Sequence, residues 1–448
     1  MLQTLCTREG SQSSGLITEK RVMSVASSTS YPNSVISCRE SGVARTRILR
    51  ICLLDLLPTV PYYTGHLCAA LQEQSGVEVS LCVTTYSHDR TFFKRTGLCR
   101  RSGLLDLAGH LPASLRILRR AGKLVEYIFN LVGLAVNFMF SPPDVVHVEF
   151  IPLMNYSLPF ETWFLRLARF LGSKLVYTMH NVLPHDTHER HRQAYAKIYR
   201  LADRIICHDE HARNRLIAEF GVENDRISVI PHGELFAKKK QEPHGSISLT
   251  TTQNKECVVL CQGIIRPYKG IPFLLQAWKA ARNSGLQASL WIVGTGEENI
   301  LQQIERDSVA LDLGSSVRLD FRFVSVEELS RYYQDADILV YPYSDVTTSG
   351  ALMTGIGYGK PIIATDLTAF KQVLKHEMNA LLAPYGDVAE WASALIKLTS
   401  DSHLRARLVQ GLQDTHALTP SWTEIASETC RVYEQLVRSR RQSRIAED

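Results

Sequence analysis

Two series of short, nearly continuous apolar runs constrain this chain more than any other feature. The first series comprises "RILRICLLDLL" (Arg47–Leu57), "VEVSLCVTT" (Val77–Thr85), "DVVHVEF" (Asp144–Phe150), "KLVYTMH" (Lys174–His180), "RIICHD" (Arg204–Asp209) and "ISVIPHG" (Ile227–Gly233). The second comprises "CVVLCQGII", "ASLWIVG", "VRLDFRF", "ADILVYP", "KPIIAT" and "NALLAP", between Cys257 and Pro384. Helical patterns such as "ETWFLRLARFLG" and "EHARNRLIAEFG" separate the runs. Strands buried on both faces and alternating with helices specify parallel α/β sheets. From Glu234 to Glu256 the period collapses into polar sequence, which reads as a linker. The expected organisation is a disordered leader (1–43), a first doubly wound domain (44–235), a linker (236–256), a second doubly wound domain (257–415) and a closing helix (416–448). Two such domains face each other across a cleft at the carboxyl ends of their strands, where these sheets bind ligands.

A length of 448 residues suits two or three domains, and 45% hydrophobic with 21% charged residues is an ordinary globular composition. The formal charge of +5 does not by itself call for nucleic acid. Ten cysteines are scattered, several inside apolar runs, which is the usage of buried reduced thiols and points to a cytoplasmic compartment. No cysteine or histidine spacing supplies a convincing metal site; Cys257 and Cys261 lie in an apolar run without a second ligand pair. No metal or other cofactor is expected.

The stretch Phe92–Phe140 stands apart. It carries Lys94, Arg95, Arg100, Arg101, Arg116, Arg119, Arg120 and Lys123, then the apolar run "LVEYIFNLVGLAVNFMF" interrupted by Glu126, Asn130 and Asn137. Two readings stand: a core helix beside a solvated basic face, or a basic amphipathic surface (Lys94–Lys123) resting on anionic lipid at the inner face of the plasma membrane.

Three segments carry candidate chemistry. In "SDVTTSGALMTGIGYGKPIIATD" (Ser344–Asp366), Ser349 caps a helix and Gly359 stops it, leaving a helix start beyond a strand end, suited to phosphate or sugar hydroxyls. Gly355 and Gly357 inside that helix each cost roughly 1 kcal/mol relative to alanine, so close backbone approach is expected there. In "GIIRPYKGI" (Gly263–Ile271), Arg266 and Lys269 put two cations at a helix start, the layout for a diphosphate. In "YTMHNVLPHD", His180 ends a strand facing the cleft, followed by His185 and Asp186. His147, His188, His191 and His208 read as structural. "VGTGEEN" is a weaker glycine turn of the same cleft.

Taken in order, "VIPHG", "GIIRPYKGI…LLQAW", "SLWIVGTGEE", "VSVEELSRYYQDADILVYPYSD…SGALMTGIGYGKPIIATD" and "NALLAPYGD" resemble the retaining glycosyltransferases of family 4, with the GT-B fold. The likeness spans roughly residues 45–440 and is stronger in the second half. It implies a nucleotide-diphosphosugar held by the second domain and a saccharide or lipid-linked saccharide acceptor held by the first, with the last helix crossing back. By the resemblance, Lys269 with Arg266 neutralises the donor diphosphate. Gly263, Asp345, Thr348, Ser349, Gly350 and Thr354 contact the donor, and Gly65, His180 and His185 serve the acceptor side, with His180 nearest the transferred sugar. The pattern departs in places: the family's arginine falls on Ile264, its paired glutamates on Val346 and Thr354, and a third glutamate on Gln372. Two other classes stay open, a non-catalytic sugar-nucleotide-binding or partner subunit, and an inverting transferase or epimerase using His180, His185 or Asp186 as base.

Overall fold

The computed structural model describes residues 47–447 except 87–88, 111–114, 154–157, 184–190 and 237–255. The leader, most of the linker and His185 lie outside the described residues. Each apolar run contains a strand. The first sheet holds β1 (Leu49–Asp55), β2 (Val77–Val83), β3 (Val145–Val148), β4 (Lys174–Thr178), β5 (Arg204–Cys207) and β6 (Ile227–Val229). The second holds β7 (Cys257–Gln262), β8 (Ala288–Val293), β9 (Val317–Asp320), β10 (Ile338–Tyr341), β11 (Ile362–Thr365) and β12 (Leu381–Ala383). All pairings are parallel, in the orders β2-β1-β3-β4-β5-β6 and β12-β11-β10-β7-β8-β9.

Burial on both faces explains why the strands read as unbroken apolar runs: every residue of β3, β10 and β11 is buried. One side of the first sheet packs Tyr127, Leu131, Leu134 and Phe138 of the long helix Arg116–Phe140; the other packs Tyr63, Leu67 and Leu71 of the helix Pro61–Gln72. The second sheet is covered on one side around Trp278 and Trp391, both fully buried, and on the other around Tyr333, Tyr341 and Ile356.

The strand orders fix where a ligand can sit. In each sheet the order reverses between the strand that starts the domain and a later neighbour: between β1 and β3, and between β7 and β10. At such a reversal the following helices diverge to opposite faces and leave a crevice beyond the carboxyl ends. The loops after β7 and β10 are the two segments Gly263–Lys269 and Tyr343–Gly350. The C-terminal helix Trp422–Glu447 returns to the first domain, packing on Pro61–Gln72. There the Tyr433 hydroxyl lies 2.6 Å from His147 Nδ1, and the Trp422 indole N–H donates to the Glu234 carbonyl at 2.8 Å.

Candidate active site in the interdomain cleft

A cavity of about 320 Å³ lies between the two domains, lined from one side by Thr59–Tyr63, Tyr86, His180 and His232 and from the other by Gln262–Ile264, Lys269, Thr348, Gly350 and Arg322–Val324. That volume is in the range of small-molecule sites.

On the second-domain side the backbone shapes the site. Gly263 has φ +129°, and a Cβ there would fall 2.7 Å from the Lys269 ammonium, so only glycine leaves that nitrogen its place. Lys269 ends a short 3-10 turn, Pro267–Lys269, and is 7% exposed. Its Nζ donates to the Tyr343 hydroxyl at 2.8 Å and stands 4.8 Å from that ring's centroid. Among the described residues no carboxylate pairs with it. A buried ammonium held only by a phenol and a ring face is under-compensated, and an anion in the cleft would complete it.

The second element is the helix Gly350–Tyr358. Ser349 Oγ accepts from the Leu352 amide at 3.2 Å, and Gly359 ends the helix at φ +62°. Its first residues, Gly350 and Ala351, line the cleft with the amides that a helix start leaves free. Thr348 lines it too, and its hydroxyl, like that of Thr347, is buried without a hydrogen-bond partner. The glycines within the helix answer to packing: a Cβ on Gly355 would fall 2.2 Å from the Tyr341 hydroxyl, and one on Gly357 2.1 Å from Glu234 Oε1. The close approach expected there is to the sheet and to the interdomain segment.

The remaining candidates from the sequence are spread more widely. Arg266 is not among the residues lining the cleft; it opens the short turn that buries Lys269, and its Nη1 lies 3.3 Å from Glu297 Oε1. Asp345 is exposed and off the cleft lining. Thr354 is fully buried, its hydroxyl donating to the Gly350 carbonyl at 2.8 Å, so it braces the helix. Gly65 sits inside the helix Pro61–Gln72, where a Cβ would meet the Phe92 ring at 3.1 Å; the cleft is lined instead by the preceding Thr59–Tyr63. Arg322 is the cation that the sequence reading missed. It lines the cleft from the loop after β9, held by Asp320 and Glu328.

The first-domain side is made of side chains. His180 lines the cleft with both ring nitrogens engaged: Nε2 lies 2.9 Å from Glu149 Oε2, and Nδ1 3.4 Å from His208 Nε2. Burial pushes His180 down to about 4 and Glu149 up to about 7, and holds His208 well below the usual imidazole range. The proton positions then follow from one fixed end. His208 Nδ1 donates to the Ile230 carbonyl at 3.0 Å, so its neutral ring leaves Nε2 as acceptor. His180 Nδ1–H donates to it, which makes His180 Nε2 an acceptor for a protonated Glu149. Upstream, Thr178 donates to Glu149 Oε1 at 3.4 Å and accepts from His147 Nε2 at 2.6 Å, while His147 Nδ1 accepts from Tyr433. One chain of hydrogen bonds thus runs in a single direction from the C-terminal helix to Ile230, just past β6, with His180 near its middle. Tyr63 packs edge-on against His180 and also contacts His208, His232 and Trp422.

Glu149 was legible in one respect, as a carboxylate closing the apolar run "DVVHVEF". Nothing local marks its partnership with His180, 31 residues away in sequence. The aromatic wall of Tyr62, Tyr86, Phe236 and Phe323 carried no sequence signal either.

Comparison with known proteins agrees with this anatomy. Residues 60–233 match the model for "Glycosyltransferase Family 4", and residues 256–401 match that for "Glycosyl transferases group 1". An uncharacterized glycosyltransferase of Haemophilus influenzae is 25% identical over 253 residues, 56% of this chain and 63% of that protein. The D-inositol 3-phosphate glycosyltransferase of Saccharomonospora viridis is 22% identical over 242 residues, 52% of this chain and 56% of that protein. The chain thus spans less than two thirds of the length of these curated relatives. Among solved structures, Anabaena HepE in complex with UDP-glucose superposes with a TM-score of 0.64 at 15% identity, covering 86% of this chain and 100% of that one. Sucrose-phosphate synthase of Thermosynechococcus elongatus superposes with a TM-score of 0.64 at 17% identity, covering 87% and 100%. With one family model on each domain and paired doubly wound sheets around a common cleft, the chain belongs to the group 1, family 4 glycosyltransferases of GT-B fold.

Proposed function

We propose that this chain is a retaining glycosyltransferase that moves a hexosyl group from a nucleotide-diphosphosugar to a saccharide or lipid-linked saccharide, in surface polysaccharide or glycolipid synthesis. The observation that carries the reading is the buried Lys269 ammonium, unmatched by a described carboxylate and facing the same cleft as the helix start at Gly350. A diphosphate supplies the missing charge. Its oxygens accept from Lys269 and from the first-turn amides, and the Thr348 hydroxyl gains a partner. As the glycosidic bond to the diphosphate lengthens, negative charge grows on the leaving oxygen, where these fixed donors act most strongly. The acceptor hydroxyl attacks on the same face, and the departing phosphate takes its proton. No protein nucleophile is needed, so the absence of glutamates at Val346 and Thr354 leaves the step intact. The UDP-glucose bound to HepE and the lipopolysaccharide galactosyltransferase activity that names another fold relative support the donor and acceptor classes.

His180 takes a positioning part in this reading. A neutral ring with both nitrogens engaged and a pKa near 4 is a poor base, which disfavours an inverting mechanism through it. The hydrogen-bond chain instead fixes the ring against the acceptor's path. The test is turnover of purified protein over UDP-, GDP- and ADP-sugars, read as nucleotide diphosphate release. The reading predicts one donor slowly hydrolysed without acceptor and faster with one; no binding of any donor would favour a non-catalytic subunit.

A further inference from the structure

The second-domain wall of the cleft is rich in hydrogen-bond donors and short of strong acceptors. Lys269 supplies an ammonium, Arg322 a guanidinium, and the start of the helix Gly350–Tyr358 its free amides. No aspartate or glutamate lines the cavity among the described residues. The carboxylates near it are committed elsewhere. Asp320 and Glu328 hold Arg322 at 3.0 and 3.1 Å, and Glu297 pairs with Arg266. Glu234 lies against Gly357 with its Oε2 3.2 Å from His416 Nε2, and Glu149 is fully buried behind His180.

The two positions at which the family pattern carries glutamate account for this. Val346 packs in the apolar cluster of Tyr341, Leu352 and Ile356. Thr354 turns its hydroxyl onto the Gly350 carbonyl one turn back. Neither offers an acceptor to the cleft. The other polar side chains on this wall are neutral: the hydroxyls of Thr295 and Thr348, and the amide of Gln262, whose nitrogen donates to the Tyr333 hydroxyl.

The consequence falls on the pentose of a donor nucleotide. Ribose differs from deoxyribose by one hydroxyl, and a site reads that difference through a group left unpaired when the hydroxyl is missing. A carboxylate in that role corresponds to roughly ten- to hundredfold in affinity, a neutral hydroxyl or amide to about two- to tenfold. Arg322 could donate to the hydroxyl, but its side chain is 47% exposed and paired with two carboxylates, so losing the contact orphans nothing. One oxygen and one methylene join the pentose to the nearer phosphate. A diphosphate between Lys269 and Gly350 therefore keeps the pentose beside this wall.

We propose that this site does not select ribose, and that its donor class extends to 2′-deoxyribonucleoside diphosphosugars. The inference rests on the transferase reading for one point, that the anion held by Lys269 is a nucleotide diphosphate. Affinity then comes chiefly from the diphosphate, with the pentose as a spacer. The transfer step is the same for both classes, because the bond that breaks joins the sugar to the same diphosphate oxygen.

Calorimetric titration of the full chain with UDP and dUDP, GDP and dGDP, and ADP and dADP tests the proposal, since the base cancels within each pair. For the base that binds, the deoxy member should be weaker by less than about tenfold, and Lys269→Ala should weaken both members about equally. Turnover of the matching deoxyribonucleotide sugar, read as diphosphate release, should stay within about tenfold of its ribose counterpart. A loss beyond about tenfold in either measurement overturns the inference while leaving the nucleotide reading intact. Failure of all these nucleotides to bind removes the nucleotide reading, and the inference with it.

Discussion

The two sheets contribute to one cleft by opposite means. Beyond β7 and β10 the second domain offers backbone: glycines that admit close approach, a helix start, and one buried cation with no described counter-charge. Beyond β1, β3 and β4 the first domain offers side chains, a hydrogen-bonded series of neutral groups and a wall of rings. The first arrangement leaves electrostatic demand unmet and suits a charged ligand. The second meets its own demands internally and suits shape and position. Under the proposed function the donor belongs to the second-domain wall and the acceptor to the first, and each wall predicts a different response to substitution.

The largest effect is expected at Lys269. Its replacement in Lys269→Ala removes the charge-assisted contact and should weaken nucleotide diphosphate binding about a hundredfold, on the order of 2–3 kcal/mol. A comparable change at the exposed, ion-paired Lys397 should do nothing measurable in the same titration.

Next comes Glu149, where the protonated form makes an unusual prediction. Glu149→Gln keeps a donor for His180 and an acceptor for Thr178, so it should preserve turnover, whereas Glu149→Leu orphans both and should cost about 1–3 kcal/mol of stability with roughly tenfold slower transfer. The pH dependence has a definite sign. Folding raises this carboxyl from 4.5 to about 7, so the folded state holds the extra proton between those values. Stability from Glu149 is then present below 4.5 and declines as pH rises toward 7, by up to about 3 kcal/mol. Chemical denaturation of the parent and Glu149→Gln across that window should show the variant gaining on the parent as pH rises; parallel curves would mean Glu149 is ionised throughout.

A smaller change is expected for Thr348→Val, which removes a hydroxyl with no partner in the unliganded protein. Melting should be unaffected while donor affinity drops about fivefold, the scale of one net hydrogen bond. Smallest is Arg266→Ala, which should leave donor affinity within about twofold because the guanidinium faces Glu297 at the surface. A tenfold loss would show that Arg266 swings into the cleft with donor present.

What was legible in the sequence follows the same division. Parallel sheets announce themselves because every strand is buried on both faces, and the backbone-built wall is legible because close approach demands glycine, proline and capping residues at fixed short spacings. Lys269 and Gly350 were read that way, and both line the cleft. Arg266 shares the turn of Lys269 but is off the cleft lining, because spacing says which residues share a turn and the turn's geometry decides which of them lines the cavity. The side-chain wall resists such reading: Glu149, His180, His208 and Tyr433 meet only through the sheet order and the return of the last helix. His147 and His208, read as structural, are so, yet they set the tautomer of the histidine that lines the cleft.

Calorimetric titration of UDP, GDP and ADP into the parent, Lys269→Ala and Glu149→Leu tests the division most directly. One nucleotide should bind the parent and Glu149→Leu within about threefold of each other and lose about a hundredfold in Lys269→Ala. Unchanged affinity in Lys269→Ala, or an equal loss in Glu149→Leu, would contradict the assignment of donor and acceptor to separate walls.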